Sequence, residues 1–281
     1  MKEFILANEP VIRLGFFFGM LLLIGAWEFI RPRRALLFSR WRRWPSNFAL
    51  VFFNTAALRF IFPVVAVGVS VIAAERGWGL LNLWAVPSAL AIILSVLVLD
   101  FMIYLQHVMV HAVPMFWRLH RLHHADLDYD MTTGARFHPF EILLSMCIKL
   151  AGVALLGAPA VAVVIFEVLL NATAMFNHGN IRIPPAIDGI LRLVVVTPDM
   201  HRVHHSSLPH ETNSNFGFNL PWWDRIFGTY RAQPEAGHEE MEIGIEEFRE
   251  AKYLRFDWLL LQPFLGRAGD YTINRPGRDG T

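Results

Sequence analysis

The sequence predicts an all-α protein: a multi-span transmembrane helical bundle carrying a cytoplasmic, histidine-rich metal-binding cap. Three observations predict it. Of the 281 residues, 54% are hydrophobic and only 17% charged, with a mean hydropathy of +0.39; a soluble domain carries about a quarter charged residues. Apolar runs long enough for a helix to cross a bilayer, about 20 residues, recur along the first two thirds of the chain. Ten of the twelve histidines lie between His107 and His205, in or beside these runs at helical spacing.

Composition removes several function classes. The formal net charge of +1 gives no reason to expect a nucleic-acid partner. The single cysteine, Cys147, excludes a disulfide framework and a thiolate metal site, and its apolar surroundings read as a buried, inert position. No Gly-x-Gly-x-x-Gly or phosphate-binding loop is present, so no nicotinamide or flavin is expected on the chain itself. Met1 to Pro10 carries Lys2, Glu3 and Glu9 without a basic n-region or a small-residue cleavage site, so the following apolar run reads as a retained span.

In order, that first span runs from Val11 to Ile30, with Arg13 and Glu28 near its ends, where long charged side chains can snorkel. The second runs from Phe48 to Ala74, with Arg59 expected to face protein, and the third from Leu83 to Gln106. The stretch from Ile142 to Phe176 is too long for one crossing and is interrupted by Gly157, Ala158 and Pro159, which predicts a hairpin of two helices. Asn171 in the last span is placed to hydrogen-bond between helices. Between the first two spans, Arg31 to Trp44 holds six arginines and no acid; these read as topology determinants and anionic-lipid contacts. The positive-inside rule puts this segment in the cytoplasm and the loop at Glu75 to Trp78 on the far side. Counting spans from there delivers His107, His178 and the polar remainder from Asn180 onward to the cytoplasmic side as well. The nine tryptophans read chiefly as interface anchors, with Trp222 and Trp223 suited to an entrance or a cap. The domain boundaries expected are 1–95 for the N-terminal helices and basic loop, 96–235 for a di-metal catalytic domain, and 236–281 for a cytoplasmic tail.

The histidines form His107-x-x-x-His111, then His120-x-x-His123-His124, then His201-x-x-His204-His205. Residues three and four apart share a helix face, so each set can aim two or three imidazoles at one point. Imidazole is a ligand for zinc, copper, iron and nickel. His107 and His111 fall in the last turns of span three before Pro114, His178 ends the hairpin, and the two triplets lie on loops covering these helix ends. Nine or ten imidazoles exceed what one metal takes, so two adjacent ions are the economical solution. Asp100, Glu141 and Asp199 are candidate carboxylates behind the ligands. His210 and His238 read as ordinary surface or satisfied histidines, because neither His-Glu pair has the second histidine of a zinc protease.

These elements resemble the fatty acid hydroxylase and sterol desaturase superfamily of integral-membrane di-iron enzymes. The resemblance rests on His107/His111, His120/His123/His124, Arg136-Phe137-His138-Pro139-Phe140-Glu141, Asn177-His178-Gly179-Asn180, His201/His204/His205 and Trp223-Asp224-Arg225-Ile226-Phe227-Gly228-Thr229-Tyr230, and covers about Val96 to Tyr230. It implies two iron ions, O2 as co-substrate and hydrogen abstraction from an unactivated C–H bond. Ligands carried over are His107, His111, His120, His123, His124, His178, His201, His204 and His205, with His138 as a ligand or as the residue orienting one. The expected substrate is a membrane lipid: fatty acyl, sterol-like, alkyl-ether or carotenoid. The expected electron source is an external ferredoxin or b-type cytochrome with its reductase.

Hydroxylation is the leading reaction, with desaturation on the same scaffold as its alternative. A membrane metal-transport or metal-storage protein is the alternative of another class; it would place ligands and acids along a path at mid-bilayer depth. Richness in Arg, Ala and Gly suggests a bacterial inner membrane. Access to the metals is expected through an apolar cleft lined by Val96 to Met109 and Phe166 to Phe176.

Overall fold

A computed structural model describes residues 2–84 and 86–274. Among these residues there is no strand, only the isolated bridges Pro32–Ile181 and Ser206–Ile243. The helices are α1 (Lys2–Ala7), α2 (Glu9–Ile30), α3 (Arg40–Ile61), α4 (Ala66–Arg76), α5 (Leu80–Leu83), α6 (Ser88–Ala112), α7 (Pro114–His124), α8 (Pro139–Leu156), α9 (Ala160–Asn177), α10 (Pro185–Leu191) and α11 (Pro198–His204), followed by shorter turns. Among the described residues, five segments are long and apolar enough to cross a membrane: α2, the run from Arg40 to Leu83, α6, α8 and α9. Their outer faces carry Leu22, Phe52, Phe60, Ile93 and Leu155, all exposed. A soluble protein would bury such a surface, and here lipid solvates it. The chain is an integral membrane protein.

Proline and glycine set the boundaries. Pro63 lacks an N–H and drives Phe62 out of the helical region (φ −109°, ψ 94°). The expected single helix from Phe48 to Ala74 is therefore two, α3 and α4, joined through residues 62–65. Pro114 ends α6 at Ala112 and opens α7 as its first residue. The hairpin turns at Gly157, whose φ of +69° is costly for any residue with a Cβ. Gly79 packs against the Gly157 backbone so closely that a Cβ there would collide with it, and Ser70 on α4 donates to the Ala158 carbonyl. These contacts hold the α4–α5 loop beside the hairpin turn at one end of the bundle.

The other end gathers the C-termini of α2, α6 and α9 and the N-termini of α3 and α8. Ala91, Leu99, Ile103, Val153, Val163 and Phe166 form the main core between α6, α8 and α9, while α2 lies along α9.

Several side chains in the spans depart from expectation. Arg13 contacts Glu167 on α9, which also accepts from Lys149 of α8 at 2.6 Å, so Arg13 joins an ion cluster between helices. Glu28 is fully buried, and its Oε1 accepts the N–H groups of Met131 (2.7 Å) and Asn180 (2.9 Å), tying α2 to the cap. Arg59 is exposed, not turned toward protein: it stands near the end of α3, where the break leaves that face uncovered. Asn171 donates to Glu167 of its own helix. Cys147 lies on the exposed face of α8, apolar in setting but not buried.

Candidate metal centre

The clusters expected on loops are helical. His120, His123 and His124 end α7; His201 and His204 lie on α11, whose first turn is capped by the Thr197 side chain and begun by Pro198. Helical spacing is what brings the three imidazoles of each triplet to one side. The nine histidines carried over as ligands form two groups. His107, His111, His120, His124 and His204 bring their ligand atoms within 4.8 Å of one another, as do His123, His178, His201 and His205. The groups are adjacent: the His123 and His124 rings both lie 4.5 Å, centroid to centroid, from that of His205. All nine are buried, His107 least so at 6% exposed.

Hydrogen bonds to Nδ1 fix which nitrogen faces inward. His107 Nδ1 is 2.8 Å from the Phe216 carbonyl, His204 Nδ1 2.7 Å from that of Ser214, and His178 Nδ1 2.8 Å from that of Ala174. His111 Nδ1 lies 3.2 Å from Asn213 Oδ1, and His120 Nδ1 2.6 Å from Glu141 Oε1. A carbonyl or carboxylate oxygen can only accept, so these Nδ1 atoms carry the proton and Nε2 keeps its lone pair. The Nε2 atoms of His111, His124, His204 and His205 are buried without a partner. Those of His107 and His120, of His123 and His178, and of His178 and His201 face each other at 3.2 Å. Converging imidazole nitrogens buried without other partners are what a cation resolves, and the second hydrogen bond behind His107, His111, His120, His178 and His204 is the usual companion of a metal-bound histidine. The residues fit a pair of metal ions.

Burial, followed by the neighbouring imidazoles, holds His123, His124, His201, His204 and His205 well below the usual imidazole range. Burial also lowers His178, to about 4, despite the Ala174 carbonyl. Neutral imidazole is the form that ligates.

His138 stands outside both groups. It caps α8, its Nδ1 accepting the Phe140 N–H, with Nε2 3.3 Å from the Leu260 carbonyl. One turn on, Glu141 supplies the carboxylate behind His120. The other two candidate carboxylates do different work. Asp100 accepts the backbone N–H groups of Asn219 and Leu220 (both 3.3 Å) and the Trp223 indole (2.8 Å), anchoring the segment whose Phe216 carbonyl holds His107. Asp199 pairs with Arg202 and Arg33. His210 is exposed, whereas His238 is buried beside Asp199 and is not a surface residue.

The basic segment does more than face lipid. Arg43 is fully buried and donates to both oxygens of Asp126 (2.8 Å each) and to Asp130 (2.7 Å). Asp128 accepts the N–H groups of Leu37 and Phe38. Burial alone would raise the Asp126 carboxyl, but the Arg43 and Arg136 guanidiniums hold it down at about 2. This lock clamps residues 126–136, between α7 and α8, to α3. Asp126, Asp128 and Asp130 alternate directly after the second cluster, and that acidic alternation was the sequence signal for a partner to the acid-free arginine run. Arg121 and Arg202, each directly after the first histidine of its triplet, are buried too; Arg121 donates to the carbonyls of Gln262, Leu265 and Arg267, fixing residues 262–267 against α7.

A cavity of about 570 Å3 lies beside the first group, lined by Tyr104, Leu105 and Val108 of α6 and by Asn213, Phe216 and Phe227 among others. The buried Phe216 ring separates it from His107, His111 and His204, whose centroids are 5.6, 5.1 and 5.5 Å away. This cavity uses the outer side of α6 and the cap, not the α6–α9 side expected from the sequence.

Residues 92–229 match the profile of the fatty acid hydroxylase family. The ornithine lipid hydroxylase OlsE of Rhizobium tropici is 29% identical over 157 residues, 56% of this chain and 46% of that protein. Human alkylglycerol monooxygenase is 31% identical over 142 residues, 48% of this chain and 29% of the other. A very-long-chain aldehyde decarbonylase of Oryza sativa subsp. indica is 28% identical over 184 residues, 62% of this chain and 29% of the other. The chain thus spans less than half the length of these relatives. No solved structure matches it. The matched segment contains all nine grouped histidines, Glu141 and Asp100, and with it the chain belongs to the fatty acid hydroxylase and sterol desaturase superfamily.

Proposed function

We propose that the protein is a membrane di-iron monooxygenase that hydroxylates an unactivated C–H bond of a lipid, using O2 and two electrons from an external donor. The observation that carries this reading is the convergence of nine buried histidines in adjacent groups of five and four. Iron bound there supplies O2 activation and hydrogen abstraction; overall, R–H, O2, two electrons and two protons give R–OH and water. His107, His111, His120, His124 and His204 would hold one ion, and His123, His178, His201 and His205 the other. His138 is a positioning residue: it starts α8 and so places Glu141 behind His120. Burial of every ligand excludes bulk water, which protects a strongly oxidising centre from side reactions.

The relatives' names support a lipid substrate, since one is a hydroxylase of ornithine lipid and another a monooxygenase of alkylglycerol. We place the substrate's chain in the cavity beside Phe216, whose walls at Leu105, Val108 and Phe227 are apolar. We place the histidine end of the bundle in the cytoplasm of a bacterial inner membrane, because the six arginines lie at that end. Desaturation begins with the same hydrogen abstraction and is the second reading, favoured by no residue in this chain. A metal transporter is disfavoured because the grouped ligands sit at one end of the bundle instead of along a path through it.

The test is lipid analysis of cells carrying the wild-type chain or His107→Ala, with iron content and O2 uptake of the purified protein. About two irons per chain and lipids heavier by one oxygen are expected. Species lighter by two hydrogens would assign desaturation. Bound metal with neither oxidised lipid nor O2 uptake would overturn the reading.

A further inference from the structure

Three side chains outside the nine histidines converge beside the cavity, where His210 forms part of its lining. His210, Glu211 and Glu235 each offer a ligand atom within 4.8 Å of the other two. His210 Nε2 lies 2.7 Å from Glu235 Oε1, and both side chains are exposed. Glu211 is different, at only 1% exposed. Its Oε1 accepts the Glu235 backbone N–H at 2.6 Å, and its Oε2 is buried with no partner among the described residues. Arg231 stands 3.8 Å from Glu235, but among the described residues no cationic side chain pairs with Glu211. A buried carboxylate without a counter-charge is costly. A second carboxylate beside it raises that cost by like-charge repulsion. A divalent cation between the two relieves both, and the His210 imidazole completes a three-donor set.

We propose that His210, Glu211 and Glu235 form a mononuclear site for a divalent cation of the zinc class, separate from the di-iron centre. One imidazole with two carboxylates suits zinc or manganese, whereas calcium and magnesium take all-oxygen sets. Three protein donors leave a coordination position open. His210 also lines the cavity, so that position adjoins it, and a cation there attracts the anionic part of a lipid headgroup. The site itself does not depend on the oxygenase reading, because none of its residues belongs to either histidine group.

The test is zinc binding to the purified, iron-loaded full-length chain by equilibrium dialysis with elemental analysis. The wild type should hold one zinc per chain beyond its iron. His210→Ala and Glu235→Gln should each weaken that binding at least tenfold while leaving iron content unchanged. Both side chains are exposed, so neither change threatens the fold. X-ray absorption at the zinc edge should show nitrogen and oxygen donors with a single imidazole. No zinc beyond the iron in the wild type, or undiminished zinc in either variant, would overturn the proposal. Iron content and lipid oxidation are read separately, so failure here is distinguishable from failure of the oxygenase reading.

Discussion

The Nδ1–H of His120 donates to Glu141 Oε1 at 2.6 Å, joining the end of α7 to the first turn of α8 inside the protein. Both residues are buried, and this bond fixes the ring so that its Nε2 meets that of His107 at 3.2 Å. Removing the carboxylate frees the ring and weakens its basicity, and partners of this kind are worth about 10–100-fold in metal affinity or activity. Glu141→Ala should therefore lower bound iron and activity by that order, with Glu141→Gln intermediate because its amide oxygen still accepts. Iron per chain after dialysis against a chelator checks this; undiminished iron in Glu141→Ala would remove the carboxylate from the centre.

Arg43 carries the largest predicted loss of stability. Its replacement by Met leaves Asp130 buried without its cation and Asp126 with Arg136 alone, and breaking a buried pair costs about 3–5 kcal/mol. Thermal unfolding in detergent should shift down strongly, and residues 126–136 should become protease-sensitive. Arg42→Met, on an exposed neighbour, should be nearly silent in the same assay.

Val108 and Leu105 line the cavity, and none of the nine grouped histidines does. Val108→Phe should shorten the preferred chain or move the oxidised carbon while iron stays bound, since added bulk changes cavity shape and not ligation. Ala174→Phe on α9 should have the smaller effect on selectivity. Product position by mass spectrometry decides; a larger effect at Ala174 would return the substrate path to the α6–α9 side.

Acid should weaken the fold through the same histidines. His178 titrates near 4 in the folded chain and at about 6.5 when unfolded. Between these values the unfolded chain binds more protons, so stability is complete above about 6.5 and falls as the pH drops toward 4. Metal should leave over the same window, because protons and metal compete for Nε2. The chain's unfolding temperature followed from pH 7.5 to 4, with and without iron, checks the sign; a profile that is flat or rises on acidification would contradict it.

Topology gives a fifth, independent check. Single cysteines placed at Ser39 and Glu240 in a Cys147→Ser background should be labelled from the cytoplasmic side, and one at Glu75 from the opposite side. All three positions are exposed. Labelling of Ser39 and Glu240 from different sides would break the arrangement.

The sequence by itself determined the helical class, the spans, the hairpin at Gly157 and the nine histidines that converge. These features are local: hydropathy over about twenty residues, a glycine at positive φ, and imidazoles three and four residues apart. Tertiary structure decided what depends on partners distant in the chain. Asp100 and Asp199 looked equivalent to Glu141, yet only Glu141 backs a ring of the two histidine groups, because α8 returns beside α7 while Asp100 meets the segment at 219–223 and Asp199 meets Arg202, Arg33 and His238. Arg43 read as a surface cation until Asp126 and Asp130, more than eighty residues away, were folded around it. His138 has a histidine's chemistry but a helix cap's position, and Cys147 an apolar neighbourhood that proved to be the lipid-facing side. A buried charge or a ligand is defined by what packs against it, and that is settled only when the helices meet.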